Sequence, residues 1–252
     1  DTSNNDNSKG NNWSSMKSED KDEFLTWLDA DEDDNKVDAD DEKKSRLKGA
    51  GNLSVITATP EVNDTITNAM RAVEKAGRSL IRDFGEVENL QVSVKGPADF
   101  VSAADKRSEQ ILHEELTKAR PDYSFLMEES GEVKGSDGEH RFIIDPLDGT
   151  FNFLHGIPHW CISVALEKGN EIVAAVILDP VKDEMFSADK GTGAFLRHRR
   201  LRVSARREPN EMLITCGHPG RQKQHFDAFH AEMRMVNSVY PAIRRNGAAA
   251  LD

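Results

Sequence analysis

A chain of 252 residues, 37% hydrophobic and 6% aromatic, is long enough for one large domain or for one domain with an appendage. Its formal net charge of −12 argues against nucleic acid as a substrate, because the phosphates would be repelled. No run of about 18 apolar residues is present to span a membrane. The two cysteines, Cys161 and Cys216, form neither a CxxC pair nor a disulfide framework, which suits a reducing cytoplasm.

The acidity is concentrated at one end. Residues 1–45 hold 15 acids and 6 bases, whereas residues 46–252 hold 30 acids and 27 bases. Residues 1–58 therefore read as an acidic, disordered extension, with too little apolar surface to offset the entropy of ordering. Within it, DADEDDNKVDADDE (29–42) follows a short apolar cluster at Phe24, Leu25, Trp27 and Leu28 and has the outline of an EF-hand loop. With Asp31 at position 1 and Glu42 at position 12, the turn position that needs Gly is Lys36, so a solvated acidic linker is the preferred reading. A polar, acidic start is the opposite of a secretory signal or transit peptide, and the expectation is a cytoplasmic protein.

Ordered structure is expected from Thr59-Pro60-Glu61, where Thr59 can cap a helix and Pro60 suits its first turn. Ile66, Met70, Val73, Leu80, Ile81 and Phe84 then mark one apolar face, and Gly85 is the stop. A second helix is expected over residues 104–119, with Ile111, Leu112 and Leu116 buried. Short β-type runs follow at 124–127, 141–145, 160–166, 171–179, 184–188 and 211–215. A helix over 222–236 and a strand at 242–245 complete the pattern. Mixed helices and strands with short connections predict an α/β or α+β domain over residues 59–252.

The chemistry concentrates in Phe142-Ile143-Ile144-Asp145-Pro146-Leu147-Asp148-Gly149-Thr150-Phe151-Asn152-Phe153. An apolar strand ends on Asp145, Pro146 breaks the ladder, and Gly149-Thr150 opens a short helix. Ligands collect at strand ends in α/β sheets, and a helix opening offers N–H groups and a positive dipole end to a phosphate. Asp145 and Asp148, close together in such a turn, repel unless a cation sits between them. Oxygen-only ligation favours a hard cation such as Mg²⁺ or Mn²⁺ over Zn²⁺. Glu128-Glu129, after the apolar SFLM run, places further carboxylates at another strand end.

These segments resemble the inositol monophosphatase family. DPLDGTFNF (145–153) is similar to the family's DP(I/L)DGTTNF motif, with Phe151 in place of the second Thr. MEES (127–130), DFVSAAD (99–105) and GAAALD (247–252) resemble its glutamate, D-x-V-T-x-x-D and G-(T/S)-A-A-x-x segments, in the same order and spacing. The resemblance runs from about residue 62 to residue 252. It implies a layered α-β-α-β-α sugar-phosphatase fold and Mg²⁺-dependent hydrolysis of inositol monophosphate or a similar phosphate monoester, without a covalent intermediate. It implies two or three Mg²⁺ ions, with Mn²⁺ as an alternative. Glu128, Asp145 and the Leu147 carbonyl would hold the first and Asp145 with Asp148 the second. It further implies that Thr150, held by Asp105, orients the attacking water, that Glu129 supports the metal site, and that Gly149, Thr150, Asp148 and Ala249 meet the substrate. Lys95 matches a family lysine near the active-site loop. His155 and His159 are expected to be structural.

Family members continue past the GAAALD segment to a W-D-x-A-A-G segment whose Asp closes the second metal site. The expectation from the sequence as it stands is thus a fold with an incomplete second half, poorly active and marginally stable. Relatives that act on fructose 1,6-bisphosphate, a nucleotide 3′-phosphate or histidinol phosphate supply the alternative substrates. Others associate with transcription machinery, which leaves a catalytically weak regulatory protein, docking through the acidic segment, as the rival from another class. Dimers are common among relatives, so a homodimer is a further expectation.

Overall fold

The structure is a computed structural model that describes residues 60–86, 92–96, 99–219 and 223–252. The acidic extension, its EF-hand-like run and Thr59 lie outside the described residues, as does the side chain of Lys95. Helix α1 (Pro60–Phe84) begins where the Pro-Glu signal places it. It ends before Gly85, whose N–H closes on the Ile81 carbonyl at 3.2 Å. Its buried face is Ala69, Ala72, Val73, Ala76 and Leu80, whereas Ile81, expected there, is 41% exposed. The small side chains have a reason. A Cβ on Gly77 would stand 2.8 Å from Leu178 Cδ2, so at this position the helix lies too close to the sheet for a larger residue.

A hairpin of β1 (Val92–Gly96) and β2 (Asp99–Ser102) leads into α2 (Ala103–Ala119). Leu112 and Leu116 are fully buried on α2, while Ile111 packs partly buried at the core's edge. The strands β3 (Ser124–Met127), β4 (Gly131–Val133), β5 (His140–Asp148), β6 (Cys161–Lys168), β7 (Glu171–Asp179), β8 (Glu184–Asp189), β9 (Gly193–Leu196) and β10 (Arg199–Arg200) form one mixed sheet. Its order is β10-β9-β8-β7-β6-β5-β3-β4, with β3 parallel to β5 and the remaining pairs antiparallel. A second sheet holds β11 (Leu213–Thr215) parallel to β12 (Ala242–Arg244), joined through α4 (Phe226–Val239).

The strand carrying the motif runs further than the Pro suggested. β5 continues to Asp148, and its register with β6 shifts between Asp145 and Asp148 before pairing resumes at Asp148 and Cys161. The irregularity accommodates Pro146, which has no N–H to give the ladder, and turns two acids toward one end of the sheet. The five-residue helix α3 (Thr150–Leu154) follows at once. It is anchored by an aromatic cluster in which Phe153 meets Trp160 edge-on at 5.0 Å and Phe84 of α1 at 5.3 Å. Phe153 and Trp160 are completely buried. Burying such side chains contributes about 1.5–3 kcal/mol or more each, which fixes both ends of the loop around the motif.

Candidate active site

Three elements converge at the carboxyl ends of β3 and β5. Glu128 N–H bonds the Ile144 carbonyl at 3.2 Å, extending the parallel β3–β5 pairing and setting Glu128 beside Asp145. A hydrogen bond joins these two side chains. Burial first, then the neighbouring charges of Glu128 and Asp148, push the Asp145 carboxyl well above its ordinary range. The Leu147 N–H, 3.0 Å from Asp145 Oδ1, pulls the other way.

Asp148 is also raised by burial. Against this, its Oδ2 accepts the Ala250 N–H at 2.7 Å, and the Ala249 N–H assists. The Cys161 thiol donates to the same oxygen at 3.7 Å; burial and the adjacent acids push that thiol up, so it stays a neutral donor. Ala249, expected to meet substrate, thus faces Asp148 through its backbone. Gly149 caps α3 at φ 91° with no side-chain cap. The Thr150 hydroxyl donates to the Leu147 carbonyl at 2.9 Å.

The inner face of α2 supports this turn. Asp105, Ser108 and Glu109 are buried at helical spacing with Leu112 and Leu116. Ser108 Oγ donates to the Pro146 carbonyl at 2.8 Å. Glu109 accepts the Glu129 N–H at 2.8 Å and the Ser130 hydroxyl, and so fixes the turn that follows Glu128. Of these three only Asp105 was singled out in the sequence. Ser108 and Glu109 could have been found from their i, i+3, i+4 alignment with the buried leucines. Asn152, Cys161, Ala250 and Asp252 are also part of the surroundings that sequence reasoning left unassigned. His155 contacts the Phe151 carbonyl at 2.8 Å, and His159 lies 3.3 Å from Asp252 Oδ1, contacts of a structural kind.

Among the described residues, no three His, Cys, Asp or Glu side chains stand in a geometry that would hold a metal ion. Glu128 and Asp145 turn toward each other, and Asp148 turns to backbone N–H groups. The donor set nevertheless fits a hard divalent cation: the candidate donor atoms are all oxygens, and the mutual repulsion of Glu128, Asp145 and Asp148 is what a cation would relieve. Two open hollows of about 540 and 560 Å³, at Arg120–Tyr123 and at Cys216–Phe229, include none of these acids.

The model of the inositol monophosphatase family matches residues 62–252. An inositol-1-monophosphatase of Rhizobium meliloti is 56% identical over 183 residues, 73% of this chain and 69% of the relative. A Nus factor SuhB of Xylella fastidiosa is 39% identical over 188 residues, 73% of this chain and 66% of the relative. The crystal structure of the extragenic suppressor protein suhB from Bartonella henselae, 54% identical, superposes with a TM-score of 0.71 over 74% of this chain and 72% of its own. The layered α-β fold is thus the one these proteins share, and no helix among the described residues is long and apolar enough to cross a membrane. The chain belongs to the inositol monophosphatase family and is a phosphatase.

Proposed function

We propose that the chain hydrolyses inositol monophosphate to inositol and inorganic phosphate, with Mg²⁺ as its cofactor. The observation that carries this reading is the juxtaposition of the Glu128, Asp145 and Asp148 carboxyls at adjoining strand ends, directly before the glycine-led start of α3. Glu128, Asp145, the Leu147 carbonyl and Asp148 would hold the divalent cations. Bound there, these would neutralise the phosphate oxygens and stabilise the departing alkoxide.

The chain's own groups do the rest. Gly149 and Thr150 offer N–H groups to the phosphate. The Thr150 hydroxyl donates to the Leu147 carbonyl at 2.9 Å; on donating to Asp105 instead, it would accept a hydrogen bond from the attacking water and aim it at phosphorus. Glu129 stays at the turn that Glu109 secures. As the water oxygen bonds phosphorus it releases a proton, and the bond from phosphorus to the alcohol oxygen breaks with its electron pair left on that oxygen. The alcohol oxygen takes up a proton from solvent, so that the proton lost by water balances the one gained by the alcohol.

The test is phosphate release from inositol 1-phosphate, fructose 1,6-bisphosphate, a nucleotide 3′-phosphate and histidinol phosphate at matched concentrations. Inositol 1-phosphate should give the highest kcat/KM, and a tenfold preference for any other substrate contradicts the assignment. The Nus factor name borne by relatives favours a second reading, association with transcription machinery.

A further inference from the structure

Asn152 sits inside the motif but performs no step of the hydrolysis. It is buried within α3, and its Nδ2 donates to two carbonyls, His159 at 2.8 Å and Asn246 at 2.7 Å. The first belongs to the loop entering β6. The second is 94 residues away in sequence and opens the Asn246–Ala250 segment. These segments are the two walls around Asp148. One supplies the Cys161 thiol, and the other supplies the Ala250 N–H to the same carboxylate oxygen.

The walls fit closely at Asn152. A Cβ on Gly247 would come 3.1 Å from Asn152 Nδ2, and one on Gly149 would come 3.1 Å from both Ala248 Cβ and the His159 carbonyl. Asp252 adds a second bridge, accepting from Asn246 Nδ2 at 2.9 Å and lying 3.3 Å from His159 Nε2.

We propose that Asn152 is a positioning residue for Asp148: its amide ties the two walls together and so sets the direction in which Asp148 presents its carboxylate. The side-chain chemistry is specific. Both partners are carbonyl oxygens, so only a donor serves, and an aspartate in its place would set oxygen against oxygen. The geometric claim stands on these contacts; its consequence for cation binding rests on the phosphatase reading above.

The test compares Asn152→Asp, of equal size without the donor, and Asn152→Ala with Leu116→Ala, a core truncation on α2. Two quantities are read: hydrogen exchange of the Ala250 amide in metal-free protein, and Mn²⁺ binding by electron paramagnetic resonance. Both Asn152 variants should lose protection at Ala250 and bind Mn²⁺ roughly 10-fold or more weakly, the range for removing a group that orients a ligand. Leu116→Ala should lower the melting temperature and leave both readings unchanged. Unaltered protection at Ala250 in the Asn152 variants, or equal loss in Leu116→Ala, overturns the proposal. If Asn152→Asp fails to fold, Asn152→Ala decides. Absence of Mn²⁺ binding by the unsubstituted protein would sink the phosphatase reading instead, and exchange at Ala250 would still judge Asn152.

Discussion

Gly149→Ala perturbs the site at one methyl group. Gly149 holds φ 91° and ψ 31° where β5 passes into α3. A left-handed conformation costs a residue with a Cβ about 1–2 kcal/mol. The new methyl would also meet Ala248 Cβ at 3.1 Å, the His159 carbonyl at 3.1 Å and Trp160 Cα at 3.2 Å. Two of these neighbours are backbone, anchored by the buried Trp160, so they cannot rotate aside. Crowding of that kind adds roughly 1–3 kcal/mol. The total, about 2–5 kcal/mol, converts to a fall of roughly 5–15 °C in melting temperature for a domain of this size. Circular dichroism melts of the two proteins, with phosphate release measured on the same samples, provide the assay. Activity should fall further than stability, because the methyl presses on both walls around Asp148. A melting temperature within about 2 °C of the parent would refute the reasoning, since it would mean that the turn relaxes at no cost.

Further outcomes follow from the supporting contacts. Glu109→Ala leaves the half-buried Glu129 N–H without its acceptor and should cost about 1 kcal/mol in urea unfolding; Glu109→Gln keeps an acceptor and should recover most of it. Asp137 is held below the usual carboxylate range by the His140 backbone N–H at 2.6 Å, then by the His140 ring at 2.8 Å. A depressed carboxyl stabilises the fold above its unfolded pKa, and that contribution is lost as pH falls through the folded value. The melting temperature should therefore decline below the ordinary value of 3.8, and less steeply in Asp137→Asn, as melts across an acid pH series would record.

Much of the fold was legible because its signals are local. Pro60 and Gly85 bracket α1, and the apolar runs of β3, β5, β6 and β7 announce strands on both sides of the motif. The misreadings have physical causes. Ile81 looked like core because it is large, whereas the helix meets the sheet through Ala69, Ala72 and Ala76, which periodicity weighs lightly. β4 and β10 are short and largely polar, held by pairing rather than by burying an apolar face. α4 starts at Phe226 rather than residue 222, because the short helix Lys223–His225 precedes it.

At the site, Asp145 and Asp148 were readable from strand end, Pro and Gly-Thr. Ser108 and Glu109 were hidden because buried polar residues on a helix look like its solvent side. Asn152, Ala250 and Asp252 were hidden because their meaning lies in contacts with segments remote in sequence.

The central claim is that the Glu128–Asp145–Asp148 cluster is the catalytic metal centre of an inositol phosphate phosphatase. The most direct measurement is release of phosphate from inositol 1-phosphate across a Mg²⁺ titration, for the protein and for Asp145→Asn and Asp148→Asn. Each substitution keeps the side chain's size and an acceptor oxygen while removing a charged form that its surroundings already disfavour, so folding should be unharmed. The account predicts release that depends on Mg²⁺ and falls roughly 10²-fold or more in both variants, as for loss of a transition-state electrostatic contact. Release that is indifferent to Mg²⁺, or more than a third of the activity retained in either variant, would contradict it.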